Sequence, residues 1–217
     1  MQATIRNPTL LDVALPRFDS RASAIARDVV LVAAGTGLVA ACAQISIPMQ
    51  PVPLTGQTFA VLLAGGLLGF WRAFAALALY WAVGALGAPV FADQASGWDT
   101  IEGPSGGYIY GFILAAAAVG YLCQRGGDRT VLRMIGVLFV GNLIIYAIGV
   151  PWLAEANIGE GGTDFGWANA WDFGVAPFIG GDLMKLFAVA GLLPAGWAIA
   201  RKLGRKGTDS GIKPGIA

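Results

Sequence analysis

Pro177-Phe-Ile-Gly-Gly-Asp182-Leu-Met-Lys185-Leu-Phe-Ala-Val-Ala-Gly-Leu-Leu193 places one acid and one base inside an apolar run long enough to cross a bilayer. A lone ionised side chain at the centre of such a run costs about 2.5–3.5 kcal/mol on insertion scales. Three residues apart on a helix, Asp182 and Lys185 face one another and offset part of that cost. The pair must therefore look into a bundle interior or a polar cavity. Two readings stay open from these residues alone. One is a structural pair locking a helix in place, and the other is an acceptor and a donor offered to a small polar ligand in an apolar hollow.

The rest of the 217 residues carries the same signature: 56% hydrophobic, 12% charged, 32 glycines and a formal net charge of +1. Mean hydropathy is +0.67. This is the composition of an integral membrane protein with close helix contacts, and the charge balance gives no reason to expect a nucleic-acid partner. The absence of histidine excludes His-dependent general-base chemistry, Ser/His triads and His-containing metal sites. Cys42 and Cys123 lie in separate apolar segments without metal or redox spacing, and read as small buried residues. No catalytic residue, cofactor or metal is expected, and the chain is not expected to be an enzyme.

Residues 1–28 form a polar arm with Arg6, Arg17, Arg21 and Arg27, in which a short interfacial helix is expected near Leu10–Ala26. Six spans follow within a 29–200 domain: Val29–Ile47, Thr55–Phe70, Ala73–Phe91, Gly107–Cys123, Met134–Leu153 and Phe173–Ala200. Residues 201–217 are a basic tail with Arg201, Lys202, Arg205, Lys206 and Lys213. Val39-Ala-Ala-Cys42 superficially fits a lipoprotein cleavage box, but the preceding arm is long and many spans follow. The expected fold is an all-α bundle of six transmembrane helices with both termini cytoplasmic. All 14 Lys and Arg except Lys185 then fall on one face, which the positive-inside bias makes cytoplasmic. A miscounted span would scatter them.

The opposite face receives Pro48-Met-Gln-Pro-Val-Pro53, too proline-rich to continue a helix, and the acidic segments 92–105 and 154–172. Asp182 and Lys185 are expected roughly ten residues, about 15 Å of helix, below the outer end of the last span. On the first span Ala33, Gly37 and Ala41 recur at i, i+4 and i+8. Such a stripe suits either a partner helix or packing within the same bundle.

Five blocks in order resemble a known family. They are Ile47-Pro-Met-Gln-Pro-Val-Pro-Leu-Thr-Gly-Gln-Thr-Phe-Ala-Val-Leu-Leu-Ala-Gly65, Tyr80 with Gly84-Ala-Leu-Gly-Ala-Pro-Val-Phe91, Gly103-Pro-Ser-Gly-Gly-Tyr108, Tyr146 with Gly149 and Trp152-Leu153, and Pro177–Lys185. Together they resemble BioY, the biotin-specific substrate-capture (S) component of energy-coupling-factor (ECF) vitamin transporters, over Val29–Ala200. The resemblance implies a biotin site near the external face, a transmembrane coupling protein with paired ATPase subunits as partners, and residence in a bacterial cytoplasmic membrane. It also implies that Ala33, Gly37 and Ala41 dock the coupling protein. The chain has no Walker-type Gly-Lys-Ser/Thr, so any ATP-driven step belongs to another subunit.

On this resemblance the expected biotin site has Asp182 accepting the ureido N–H groups, with Lys185 holding Asp182 ionised or donating to the ligand. Asn142, Tyr146 and Gln57 are secondary polar candidates, and Tyr80, Tyr108 and Phe91 are candidate walls; Gln57 equally suits a cap on the second span. The proline-rich segment and the loop after Phe91 form the expected lid. The sequence departs from the family at Asp93-Gln-Ala-Ser-Gly-Trp-Asp-Thr-Ile-Glu102, acidic where some members carry a basic residue suited to the valerate carboxylate. Alternatives to ECF-dependent capture are a stand-alone or homo-oligomeric biotin facilitator and an S component for another vitamin, such as riboflavin or a nicotinate.

Overall fold

The computed structural model describes residues 8–15, 20–159 and 164–209, the last seven as backbone only. Arg6, Arg17, Glu160 and Lys213, and the side chains of Arg205 and Lys206, lie outside the described residues. Nine α-helices and one two-stranded sheet are described: α1 Leu10–Ala14, α2 Arg21–Ala43, β1 Ser46–Ile47, β2 Leu54–Thr55, α3 Gln57–Leu68, α4 Phe70–Ala85, α5 Trp98–Glu102, α6 Gly106–Cys123, α7 Val131–Ala154, α8 Trp167–Gly174 and α9 Ile179–Asp209. Six of these, α2, α3, α4, α6, α7 and α9, form the bundle, and the chain is an all-α multi-pass membrane protein.

The apolar sequences of α2, α6 and α7 are long enough to span a bilayer, as is the stretch Trp167–Lys202 through α8 and α9. Helix α3 has 12 residues and α4 has 16, or about 18 and 24 Å of helix. They meet at Gly69, whose φ of +76° is a left-handed conformation. A Cβ there would fall 2.8 Å from the Thr9 methyl, so α1 tucks beneath this turn.

Helix α6 is the centre of the bundle, packed against α3, α4 and α7. Its apolar window is 67% buried, against 17% for α2, which lies at the periphery on α3 and α4. The buried residues of α2 are Leu31, Gly35, Val39 and Ala43, one per turn. Ala33, Gly37 and Ala41 point the other way and are exposed, and no atom lies within 4 Å of a Cβ placed on Gly37. Packing within the bundle therefore does not account for that stripe.

Element ends depart from the sequence expectation for identifiable reasons. Helix α2 starts eight residues before Val29 because Ser20 accepts from the Ser23 N–H and caps it. It stops at Ala43, and Ser46–Ile47 pairs antiparallel with Leu54–Thr55, so residues 48–53 become the loop of a small hairpin. Helix α4 ends at Ala85, before Gly87 (φ +101°) and Pro89, which leaves Phe91 in a loop. The last expected span divides: α8 ends at Gly174, a 3-10 turn covers Ala176–Phe178, and α9 begins at Ile179. Pro177 has no N–H to donate to the Phe173 carbonyl, and the backbone leaves helical angles at Val175 (φ −127°), two residues before it, which breaks the run. Of the expected interfacial helix over Leu10–Ala26, α1 and the first turns of α2 are seen, with 16–19 outside the described residues.

At the end of the bundle that carries the arginines, Asp12 of α1 joins three elements. It accepts from Arg27 at 3.0 Å and from Arg72 at 2.8 Å, and Arg72 also pairs with Asp28 at 2.9 Å. The Trp197 indole N–H donates to Asp128, and the Arg129 guanidinium lies 3.4 Å above the Trp197 ring. The hairpin, residues 92–105 and α8 occupy the other end, where the cavity opens.

Candidate functional site

A cavity of about 250 Å³ lies between the outer halves of α3, α6, α7 and α9. Its floor and one wall are apolar, from Ile109, Phe112, Ile145 and Phe178. The hairpin contributes Val52, Pro53 and Thr55, and the segment after α4 contributes Phe91, Ala92, Asp93 and Ala95. Both expected lid segments therefore line it.

The polar corner is built on the start of α9. Asp182 is the fourth residue of that helix, about 5 Å from its N-terminus rather than 15 Å down a longer span. A carboxylate in the first turn also meets the positive end of the helix dipole. Asp182 is 7% exposed and accepts three hydrogen bonds: Thr58 Oγ1 at 3.0 Å, Lys185 Nζ at 3.1 Å and Tyr146 OH at 2.5 Å. Lys185 Nζ also donates to Thr58 Oγ1 at 2.9 Å, which closes a three-membered ring of side chains from α3 and α9. A carboxylate offers about four acceptor sites and an ammonium three donors. The bonds among the described residues leave one of each, on two paired side chains that both line the cavity.

Gln57 also lines the cavity and is 6% exposed. Its Oε1 accepts from Thr55 Oγ1 at 2.8 Å, and its Nε2 donates to Tyr80 OH at 2.7 Å. Gly56 occupies the N-cap position of α3, so Gln57 is the first helical residue and not its side-chain cap. Tyr108 is a wall residue whose hydroxyl donates to the Gly174 carbonyl at 2.9 Å, fixing α8 to α6. Phe91 is a second wall, seated where α4 has no side chain: a Cβ on Gly84 would run into its ring.

Six of the eight residues expected around a ligand thus come together: Asp182, Lys185, Tyr146, Gln57, Tyr108 and Phe91. Tyr80 and Asn142 are not among the lining residues. Tyr80 is fully buried behind Gln57 and Phe91, edge-on to the Phe91 ring, and donates to the Val90 carbonyl at 3.1 Å. Asn142 sits one turn along α7 from Tyr146, 8% exposed, with Oδ1 lacking a hydrogen-bond partner among the described residues. Sequence reasoning missed Thr58, Phe112 and Phe178. Thr58 carries no charge to mark it, and only the crossing of α3 and α9 brings it to Asp182. Among the described residues no cluster of three metal-ligating side chains occurs.

Comparison with known proteins agrees with this architecture. The model of the BioY family matches residues 13–202. A Pyrococcus horikoshii protein named "Probable biotin transporter BioY" is 41% identical over 160 residues, covering 74% of this chain and 90% of its own. A Thermotoga maritima protein named "Biotin transporter BioY" is 38% identical over 155 residues, covering 71% and 86%. The crystal structure of an S-component for biotin from an ECF-type ABC transporter superposes with a TM-score of 0.68 at 22% identity, covering 87% of this chain and 95% of that one, and so shares its fold. The bundle and the matched residues together show that this chain belongs to the BioY family.

Proposed function

We propose that this protein captures biotin from the outer side of a bacterial cytoplasmic membrane, as the S component of an ECF-type transporter. The observation that carries the reading is the spare acceptor on Asp182 beside the spare donor on Lys185, at one end of an otherwise apolar cavity. A cyclic urea presents an N–H and a carbonyl side by side and complements that pair. The apolar bicycle of biotin then packs against Phe112, Ile145 and Phe178. The valerate tail runs toward the mouth.

Lys185 is the only basic residue among those lining the cavity. The tail carboxylate therefore takes an uncharged partner at the mouth, for which the Ser105 hydroxyl is the candidate donor, since the Thr100 hydroxyl already donates to the Ser96 carbonyl. Asp93 also lines the cavity there, so this segment offers an acidic group and no basic anchor, and the carboxylate must keep clear of it. The exposed stripe Ala33, Gly37 and Ala41 is the surface for the ECF coupling protein, whose ATPase subunits supply the energy. Small residues there let a partner helix approach backbone to backbone.

Equilibrium binding of labelled biotin to the purified protein tests the site. One biotin per chain is expected. Asp182→Asn and Lys185→Ala, checked for retained folding, each weaken binding by about tenfold to a hundredfold, the loss of a charge-assisted bond. Near-unaltered affinity in both folded variants overturns the assignment. Competition by riboflavin or nicotinate in place of biotin would move the protein to another vitamin, and uptake in cells without ATPase subunits would make it a stand-alone carrier.

A further inference from the structure

We infer that Gln44, at the outer end of α2, is a positioning residue that latches the segment Val90–Ala95 over the cavity and sets how fast ligand enters and leaves. The inference rests on the biotin reading only for the identity of the ligand. Phe91, Ala92, Asp93 and Ala95 all line the cavity, so this segment is one side of its mouth.

The Gln44 side-chain amide grips the segment at two points. Its Nε2 donates to the Phe91 carbonyl at 2.9 Å, and its Oε1 accepts from the Gln94 N–H at 3.2 Å. Nε2 also donates to the Ala40 carbonyl at 3.2 Å, which holds the side chain against its own helix. Two residues on, the Ser46 hydroxyl donates to the Asp93 carboxylate. Behind the segment, Tyr80 OH donates to the Val90 carbonyl. The hold thus comes from α2 in front and α4 behind.

Between these grips the backbone is strained. Asp93 has φ +54° and Gln94 has φ +60°, consecutive non-glycine residues in the left-handed region. Such conformations persist only where surrounding contacts over-determine them. Releasing the two Gln44 bonds lets the segment relax toward ordinary backbone angles, which moves Phe91 off its seat on Gly84. Gln44 itself is solvent-exposed, follows the last residue of α2 and does not line the cavity, so replacing it leaves α2 and the walls built by α3, α6, α7 and α9 in place.

A latch that must open for passage in either direction predicts a kinetic signature that a packing defect does not produce. In Gln44→Ala, biotin association and dissociation both accelerate, each about threefold to tenfold, with a smaller change in Kd. Ser46→Ala acts in the same direction, and Ile45→Ala, a neighbour whose side chain is 70% exposed, leaves both rates unchanged. Hydrogen exchange supplies a readout independent of ligand: amides of residues 90–95 exchange faster in Gln44→Ala, while those of α6 do not. Unchanged exchange in the segment overturns the latch whatever the ligand proves to be. Faster exchange without biotin binding by the parent protein leaves the latch standing and removes the biotin reading. Slower association with faster dissociation also overturns it, because that is damage to the site.

Discussion

Asn142 and Tyr146 contrast a buried polar residue outside the cavity lining with one that lines it. Asn142 lies on the same face of α7 as Tyr146, one turn away, and is buried where Tyr146 is partly exposed. Tyr146 reaches Asp182, whereas the Oδ1 of Asn142 finds no partner among the described residues. An unpaired buried oxygen costs about 1–3 kcal/mol, and replacing it with an apolar group of similar shape recovers part of that. Asn142→Leu is accordingly expected to raise the unfolding temperature in detergent and to change biotin affinity by less than about twofold. A tenfold loss of affinity with folding intact would return Asn142 to the site. The neighbouring Thr58 shows the reverse lesson about legibility. Charge in an apolar run makes Asp182 and Lys185 conspicuous, but the hydroxyl bridging them has no such mark. Nothing in the order Thr55-Gly-Gln57-Thr58 tells which of its polar side chains turns toward α9 and which toward Tyr80.

Elements are legible where hydropathy alone decides them, and their ends are not. The α6 and α7 boundaries lie within three residues of the sequence reading because each apolar run is bounded by polar or turn residues. The run from Phe173 offers no polar break, and the divide between α8 and α9 comes from backbone geometry around Pro177. The stripe on α2 is legible as a pattern, but its direction requires the bundle. Since Gly37 faces outward with no atom within 4 Å of a Cβ placed there, a larger side chain starts out into open space. Gly37→Leu should therefore retain both biotin affinity and unfolding temperature while abolishing co-purification with the coupling protein. Retained co-purification would remove the stripe as the docking surface. Helix α1 is legible too, though not its role as a tie between α2 and α4. Burial would raise the Asp12 carboxyl, but bonds from Arg72 and the Thr9 backbone more than offset it and hold its pKa below the ordinary 3.8. Its contribution to stability is then full above that value and lost as pH falls through the lower folded-state pKa. Asp128 runs the other way: burial raises its pKa despite bonds from Trp197 and Arg129, so its contribution fades as pH rises. Asp12→Asn is expected to flatten the fall in unfolding temperature of the purified protein below pH 3.8. An unchanged acid slope in that variant would show that the Asp12 tie contributes nothing to stability.

At the scale of the whole molecule, the two ends differ in charge and in task. One end holds Arg27, Arg72, Arg125, Arg129 and Arg133, with Arg201 in the last third of α9, and several are fixed in place by Asp12, Asp28, Asp128 and the Trp197 ring. The other carries the hairpin, the Gln44-held segment and the acidic residues Asp93, Asp99, Glu102 and Glu155, around the mouth of the cavity. Retention of basic loops on the cytoplasmic side predicts the first end inward and the cavity outward. The order of the helices agrees, since six crossings return α9 to the side from which α2 starts. That assignment is testable with single cysteines in a background in which Cys42 and Cys123 are replaced by alanine. Asn157 is exposed beside the mouth, and Arg125 is exposed in the turn after α6. In intact cells a membrane-impermeant thiol reagent should label Asn157→Cys and leave Arg125→Cys untouched until the membrane is permeabilised. The opposite pattern would turn the cavity toward the cytoplasm and make uptake from outside untenable, because the charged corner at Asp182 would then face the compartment in which the solute is meant to be released.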